Sequence, residues 1–253
     1  MRIIPRLDIK GSNLIKCINL EGLRIVGDPN QYAMDYYKNG ADELIFLDIV
    51  ASLYSRNSLH DIIKTACKNI FIPFTVGGGI RSIDDALKIF DSGADKISLN
   101  TKAVQNPKLI NDLSKKFGSQ SIVVSLEAKR FDKKWKIYIE AGKERTELDV
   151  VDWTKKISDL GAGEILLTSI DNEGTCVGYD LELIHKVSNS TSVPVIASGG
   201  FGKLQDLDLA ADAGADAIAV AHMLHYKKIQ IQEIRKKAIK SNMKVRKFNQ
   251  ISK

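Results

Sequence analysis

The chain has 253 residues, 44% hydrophobic and 27% charged, a balance that excludes wholesale disorder and any collagen-like or low-complexity architecture. No run reaches the ~18 uninterrupted apolar residues of a membrane span, and the charged start from Met1 to Asp8 does not read as a signal peptide. Three cysteines without a CxxC spacing argue against a disulfide framework or zinc site and for a reducing cytoplasm. The net charge of +6 is uneven: residues 227–253 hold ten Lys/Arg and one acid, while the rest has 27 basic against 30 acidic residues. This reads as a solvated basic final helix with a frayed end on a mildly acidic body, not as a nucleic-acid-binding protein.

In chain order, eight short apolar runs predict strands: Ile3–Ile9, Glu43–Ile49, Phe74–Gly77, Lys96–Leu99, Ser121–Leu126, Glu164–Ser169, Val195–Ser198 and Ala217–Ala221. Segments between them, such as Ile83–Ser92 and Pro107–Phe117, carry apolar residues at helical spacing. Eight strand–helix units in about 250 residues predict a closed (β/α)8 TIM barrel, with strands buried on both faces. Arg130–Thr146 reads as a hairpin insertion, with Lys136–Glu140 strand-like and a turn at Gly142.

The chain also repeats itself. GADEL at Gly40 returns as GAGEI at Gly161, PFTVGGG at Pro73 as PVIASGG at Pro194, and GAD at Gly93 as GAD at Gly214, each 121 residues later. One offset shared by three blocks predicts two half-barrels, about 1–120 and 121–253, related by a pseudo-twofold axis within one domain.

In such barrels the reactive groups gather at the C-terminal ends of the strands. Asp8 and Glu127 end strands 1 and 5 and should face each other across the mouth, where two carboxylates can divide acid and base work; a lone acid at a strand end would read as a cap or loop salt bridge. Glycine-rich turns follow strands 3 and 7, with Gly79 in one and Gly199 and Gly200 in the other. With Asn100 and Thr101 after strand 4, and Ala221 and His222 after strand 8, they would form two anion cradles for a substrate with two phosphates. Thr168–Thr175 after strand 6 offers hydroxyls and amides to such oxygens, or forms an Asx turn. At the opposite face Arg2, Glu43, Lys96 and Glu164 start strands and could form a charged ring, which by spacing is a structural plug.

These residues resemble the cyclase subunit of imidazole glycerol phosphate synthase, the HisF family, over about residues 2–248. The segments DELIFLD (Asp42–Asp48), PFTVGGGI (Pro73–Ile80), GADKISLNT (Gly93–Thr101) and GAGEILLTSID (Gly161–Asp171) are the most specific. The resemblance implies that Asp8 is the essential acid and Glu127 the second, and that Asn100, Thr101, Gly174, Gly200 and Ala221 bind phosphates. It places Lys16 in a mobile loop after strand 1. It makes Arg2, Glu43, Lys96 and Glu164 a gate for ammonia from a HisH-like glutaminase, docked as a heterodimer partner on a face that includes Asp95. The implied reaction joins ammonia to the phosphoribulosyl-formimino-AICAR phosphate intermediate, giving imidazole glycerol phosphate and AICAR for histidine biosynthesis, with no metal or redox cofactor.

Four departures from the family pattern stand out. Glu127 takes the place of an aspartate, and a shift of about 1 Å can cost on the order of 100-fold in rate. Arg6, two residues before Asp8, must share the inner face with it and pair with Asp8 or Glu127. Gly11-Ser12-Asn13 replaces an Asp-Gly-type segment, and His222 a small hydroxyl residue. An intact gate beneath an altered mouth also suits a HisF-like barrel that relays ammonia to another amidation, such as one on a surface sugar.

Overall fold

A computed structural model describes residues 1–49, 51 and 59–248; the end of the basic tail, 249–253, lies outside the described residues. The chain opens with β1 (Arg2–Lys10), an antiparallel hairpin of β2 (Asn13–Ile18) and β3 (Glu21–Gly27), and α1 (Pro29–Lys38). Next come β4 (Leu44–Asp48), α2 (His60–Cys67), β5 (Phe74–Gly77), α3 (Ile83–Asp91), β6 (Lys96–Leu99), α4 (Thr101–Gln105) and α5 (Lys108–Phe117). The second half runs through β7 (Ile122–Phe131), β8 (Lys134–Ile139), β9 (Glu144–Asp149), α6 (Val150–Asp159), β10 (Glu164–Ser169) and α7 (Leu181–Ser188). It ends with β11 (Val195–Ser198), α8 (Asp206–Asp212), β12 (Ala217–Val220), α9 (His222–His225) and α10 (Ile231–Lys240).

Strands β1, β4, β5, β6, β7, β10, β11 and β12 pair in parallel in that order, and β12 returns to β1, closing the barrel. All eight predicted strands are present. The period-2 alternation of strand side chains divides the apolar residues into two clusters. Ile3, Leu7, Leu44, Phe46, Ile165 and Leu167 pack outward under the helices, whereas Ile4, Ile45, Leu47, Leu166, Ile196 and Ala219 fill the lumen. Helices start where an acid or hydroxyl can accept from a free backbone N–H: Asp28 from Gln31, Ser82 from Asp85, Asp149 from Val151 and Asp180 from Leu183.

The repeat survives as matched contacts. The Asp95 carboxylate accepts from the Phe74 amide at 2.8 Å, and the Asp216 carboxylate accepts from the Val195 amide at 2.9 Å; the partners differ by the same 121 positions. Likewise a Cβ on Gly78 would meet the Asp48 carbonyl oxygen at 2.4 Å, and one on Gly199 the Ser169 carbonyl oxygen at 2.7 Å. Both glycines also have positive φ, so the two βα turns admit no side chain.

Three expectations change. The insertion after strand 5 is larger than a hairpin: β7 runs on to Phe131 and pairs with β8, which pairs with β9. The segment after strand 1 is the β2–β3 hairpin rather than a loop. Its turn, Asn19-Leu20, has φ of 51° and 62° with no glycine, so the usual hairpin signal is absent. Nor is the tail after α10 frayed as far as Phe248. Arg246 donates to Asp42 at 3.2 Å, Phe248 lies over Gly40, and the Lys244 carbonyl accepts from the N-terminal amine at 2.7 Å.

Candidate active site in the barrel mouth

The lumen is stratified. At its N-terminal end Arg2 bonds Glu43 at 2.8 Å and pairs with Glu164, while Lys96 bonds Glu43 at 3.0 Å and Glu164 at 2.9 Å. The four predicted residues thus meet in one ring of alternating charge. Both acids are buried, and each accepts from two cations, which offsets the cost of enclosing charge. Burial opposes the Arg2 charge, and the two glutamates overcome it, raising the pKa of the guanidinium. Above the ring lies the apolar layer, and above that Arg6.

Arg6 is 2% exposed. Its Nε donates to Asp8 Oδ1 at 2.9 Å, and Nη1 donates to Thr168 Oγ1 at 3.0 Å and Ser198 Oγ at 3.1 Å. One side chain therefore ties β1 to β10 and β11 across the lumen. Thr168 is in register with both Ser198 on β11 and Glu127 on β7, so the carboxyl of Glu127 stands beside the rung that Arg6 grips. Barrel order sets β1 and β7 opposite each other, and Arg6 feels the charge of Asp8 and of Glu127. Glu127 is half-buried, with Oε2 enclosed and lacking a hydrogen-bond partner among the described residues. Burial raises its pKa to about 7, helped by Asp8 and Glu173 and opposed by Arg6 and the Gly142 amide.

The two cradles are unequal. Gly78, Gly79, Asn100 and Thr101 line a cavity of about 280 Å³ that reaches down to Arg6 and Glu127 and is also lined by Asp48, Arg81 and Lys102. Asn100 Nδ2 donates to the Ser125 carbonyl at 3.1 Å, and Thr101 Oγ1 accepts from the Glu140 amide at 3.0 Å, so the β7–β9 excursion fixes this rim. On the other side Gly174, Gly199, Gly200, Ala221 and His222 enclose a cleft of only about 10 Å³. His222 packs tilted against Tyr226 with ring centroids 4.6 Å apart, and among the described residues its Nδ1 is enclosed without a partner. Burial, then Lys228 and Lys16, lower the pKa of its imidazole.

Other predicted positions fall differently. Thr168 lines neither cavity: it is a lumen residue serving Arg6. Lys16 is not in a loop but on β2, buried, and paired with Glu173. Burial penalises both members of that pair, yet each holds the other charged: the pKa of Lys16 is raised and that of Glu173 lowered. Asn19 adds hydrogen bonds to the Ile170 and Asp171 carbonyls at 2.9 and 2.7 Å, so the hairpin is pinned onto the segment after β10. Glu173 went unassigned in the sequence because its partner is 157 residues away; the signal available was an acid beside Gly174 in a barrel whose mouth already held a lysine. Asp95, at the N-terminal face, lines a surface cleft of about 360 Å³ with Cys67, Ile70, Phe71 and Pro73.

The sequence has relatives among known proteins. The family model described as "Histidine biosynthesis protein" matches residues 2–230. The imidazole glycerol phosphate synthase subunit HisF of Legionella pneumophila is 58% identical over 209 residues, 82% of this chain and 99% of that one. The HisF subunits of Hydrogenobaculum and Pyrobaculum aerophilum are 47% and 46% identical over 247 and 248 residues, in each case 97% of this chain and 98% of the relative. The chain belongs to the HisF family. Of the four departures noted in the sequence, Arg6, Glu127 and His222 line the two cavities of the mouth, and Gly11-Ser12-Asn13 lies at the turn from β1 to β2. None of the first three disturbs the barrel: Arg6 is held by hydrogen bonds, His222 packs against Tyr226, and Glu127 lines a cavity.

Proposed function

We propose that the chain is the cyclase subunit of imidazole glycerol phosphate synthase and acts in histidine biosynthesis on an intermediate with two phosphates, using ammonia released by a HisH-like glutaminase. The observation that carries this reading is the pair of glycine turns on opposite sides of one mouth with Asp8 and Glu127 between them. Backbone amides released by Gly78–Gly79 and Gly199–Gly200 can face an anion without a Cβ intervening. A molecule held at both ends presents its middle to the two carboxyls, a positioning effect that accounts for much of the barrier lowering in such reactions. Glu127, with its pKa near neutrality, suits proton transfer in both directions.

In the same reading the ring of Arg2, Glu43, Lys96 and Glu164 meters ammonia into the lumen, and the cleft beside Asp95 with exposed Phe71 receives the glutaminase. Neither a metal nor a redox cofactor enters the scheme. A cytoplasmic setting belongs to the proposal too, supported by three free thiols; among the described residues no helix is long and apolar enough to cross a membrane. The deciding experiment supplies the purified chain with the phosphoribulosyl-formimino-AICAR phosphate intermediate and an ammonium salt. Imidazole glycerol phosphate should form. No product, together with intact glutaminase binding, would favour a second reading. In that reading the barrel relays ammonia to another acceptor, as the engaged Asp8 and the nearly filled second cradle suggest.

A further inference from the structure

The cyclase scheme leaves Arg6 without a task. Charge in the mouth gives it one. Among the described residues, Asp8, Glu127 and Glu173 act electrostatically on Arg6 and Lys16 in the depth of the mouth, and Asp48, Arg81, Lys102 and Glu140 line the cavity that Glu127 enters. Arg6 bonds Asp8, and Lys16 bonds Glu173. Each pair is buried and neutral as a unit. Glu127 belongs to neither pair. Among the described residues its Oε2 is enclosed with no hydrogen-bond partner, and it lines the open cavity, where a ligand can reach it. The groups that face it are Arg6 and Asp8 from β1, Glu173 from the segment after β10, and the Gly142 amide from the β8–β9 turn.

We propose that Arg6 is a positioning residue: by claiming Asp8 and anchoring on Thr168 and Ser198, it makes Glu127 the carboxyl that carries the proton in the mouth. Two observations independent of charge support this. The Arg6 head is held at three points on three strands, so Asp8 is tied to the lumen wall. And the longer side chain at 127 projects one methylene further into the cavity than an aspartate would. Glu127 gives a proton to the bound substrate in one step and takes one from it in a later step, so the enzyme ends each turnover as it began.

This inference rests on the cyclase reading for its turnover arm, and has a second arm that does not. Side-chain carboxyls of the full chain are labelled with carbon-13 and followed by NMR as pH is varied. The wild type should show a glutamate titrating near pH 7, and the signal should vanish in Glu127→Gln. In Arg6→Met the Glu127 midpoint should move up, since the charge of Arg6 holds it down. In Asp8→Asn the midpoint should move down, and Arg6→Lys, which keeps the charge, should stay near the wild type. The last two variants decide the matter should Arg6→Met not fold. Ammonia-driven turnover should show a pH limb at the Glu127 midpoint that Arg6→Lys retains and Glu127→Gln loses. A neutral titration surviving in Glu127→Gln, or a midpoint indifferent to Asp8→Asn, overturns the proposal. A chain that never forms imidazole glycerol phosphate defeats the cyclase reading and leaves the titration to judge this one.

Discussion

Glu127→Gln removes a charge from the mouth while keeping the size of the side chain, so its effect on stability reads the electrostatics directly. The carboxyl titrates at about 7 in the folded chain against 4.5 for the free side chain. At about 1.36 kcal/mol per pH unit the difference amounts to roughly 3 kcal/mol, and to somewhat less because water reaches a half-buried residue. The sign follows from linkage. A carboxyl whose pKa is raised by folding contributes stability that is fully present below the unfolded value and is lost as pH rises through the folded one. Wild type and Glu127→Gln should therefore be equally stable near pH 4, and the variant should be more stable by about 2–3 kcal/mol at pH 8. Urea unfolding of both proteins at a series of pH values, with unchanged m, gives the comparison. In melting experiments the gap should be about 2–4 °C per kcal/mol for a chain of this size. Two parallel stability curves, or a wild type that gains on the variant as pH rises, would refute the reasoning.

Three further outcomes are expected. Asp42→Ala should cost about 3–5 kcal/mol in urea unfolding, because the carboxylate accepts from Ile3 N at 2.9 Å and Arg235 Nη1 at 2.7 Å and leaves a buried guanidinium behind when removed. An unchanged midpoint would mean that the tail does not brace the barrel. Lys96→Ala should depress glutamine-driven turnover with the glutaminase while sparing turnover driven by added ammonium, since it opens the ring between Glu43 and Glu164; equal losses in both assays would reject the metering role. His222→Ser should lower KM for the bis-phosphate intermediate and flatten its pH dependence. The imidazole has a pKa lowered from 6.5 and must take up a proton to favour an anion, so wild-type KM should rise as pH climbs through the acid range below 6.5 and level off by neutrality. A variant with the same slope would show that the cleft beside Gly199 does not hold phosphate.

Some of the site is legible in the sequence. A strand end and a repeat offset are enough to set Asp8 and Glu127 on opposite strands. The inward direction of Arg6 followed from its distance of two residues from Asp8. Its choice of Asp8, together with Thr168 and Ser198, did not follow, because those hydroxyls lie 162 and 192 residues away and several lumen partners were compatible with the alternation. The β2–β3 hairpin was hidden for a local reason. Asn19 and Leu20 adopt left-handed conformations that asparagine tolerates and leucine does not favour, and tertiary contacts from Asn19 to the segment after β10 hold the turn.

Properties of this protein that depend on neighbours in sequence were determined by the sequence alone. The alternation of buried and facing residues sets the strands, the glycine turns set where backbone can approach an anion, and one repeated offset sets the twofold plan. Only closure of the barrel decided which charges meet. Arg6, Asp8, Lys16, Glu127 and Glu173 come from distant segments into one largely enclosed mouth, where an unpaired charge costs more than in open water. There geometry assigns Arg6 to Asp8 and Lys16 to Glu173, leaves Glu127 outside both pairs, and fills one of two cradles that looked equivalent in the sequence.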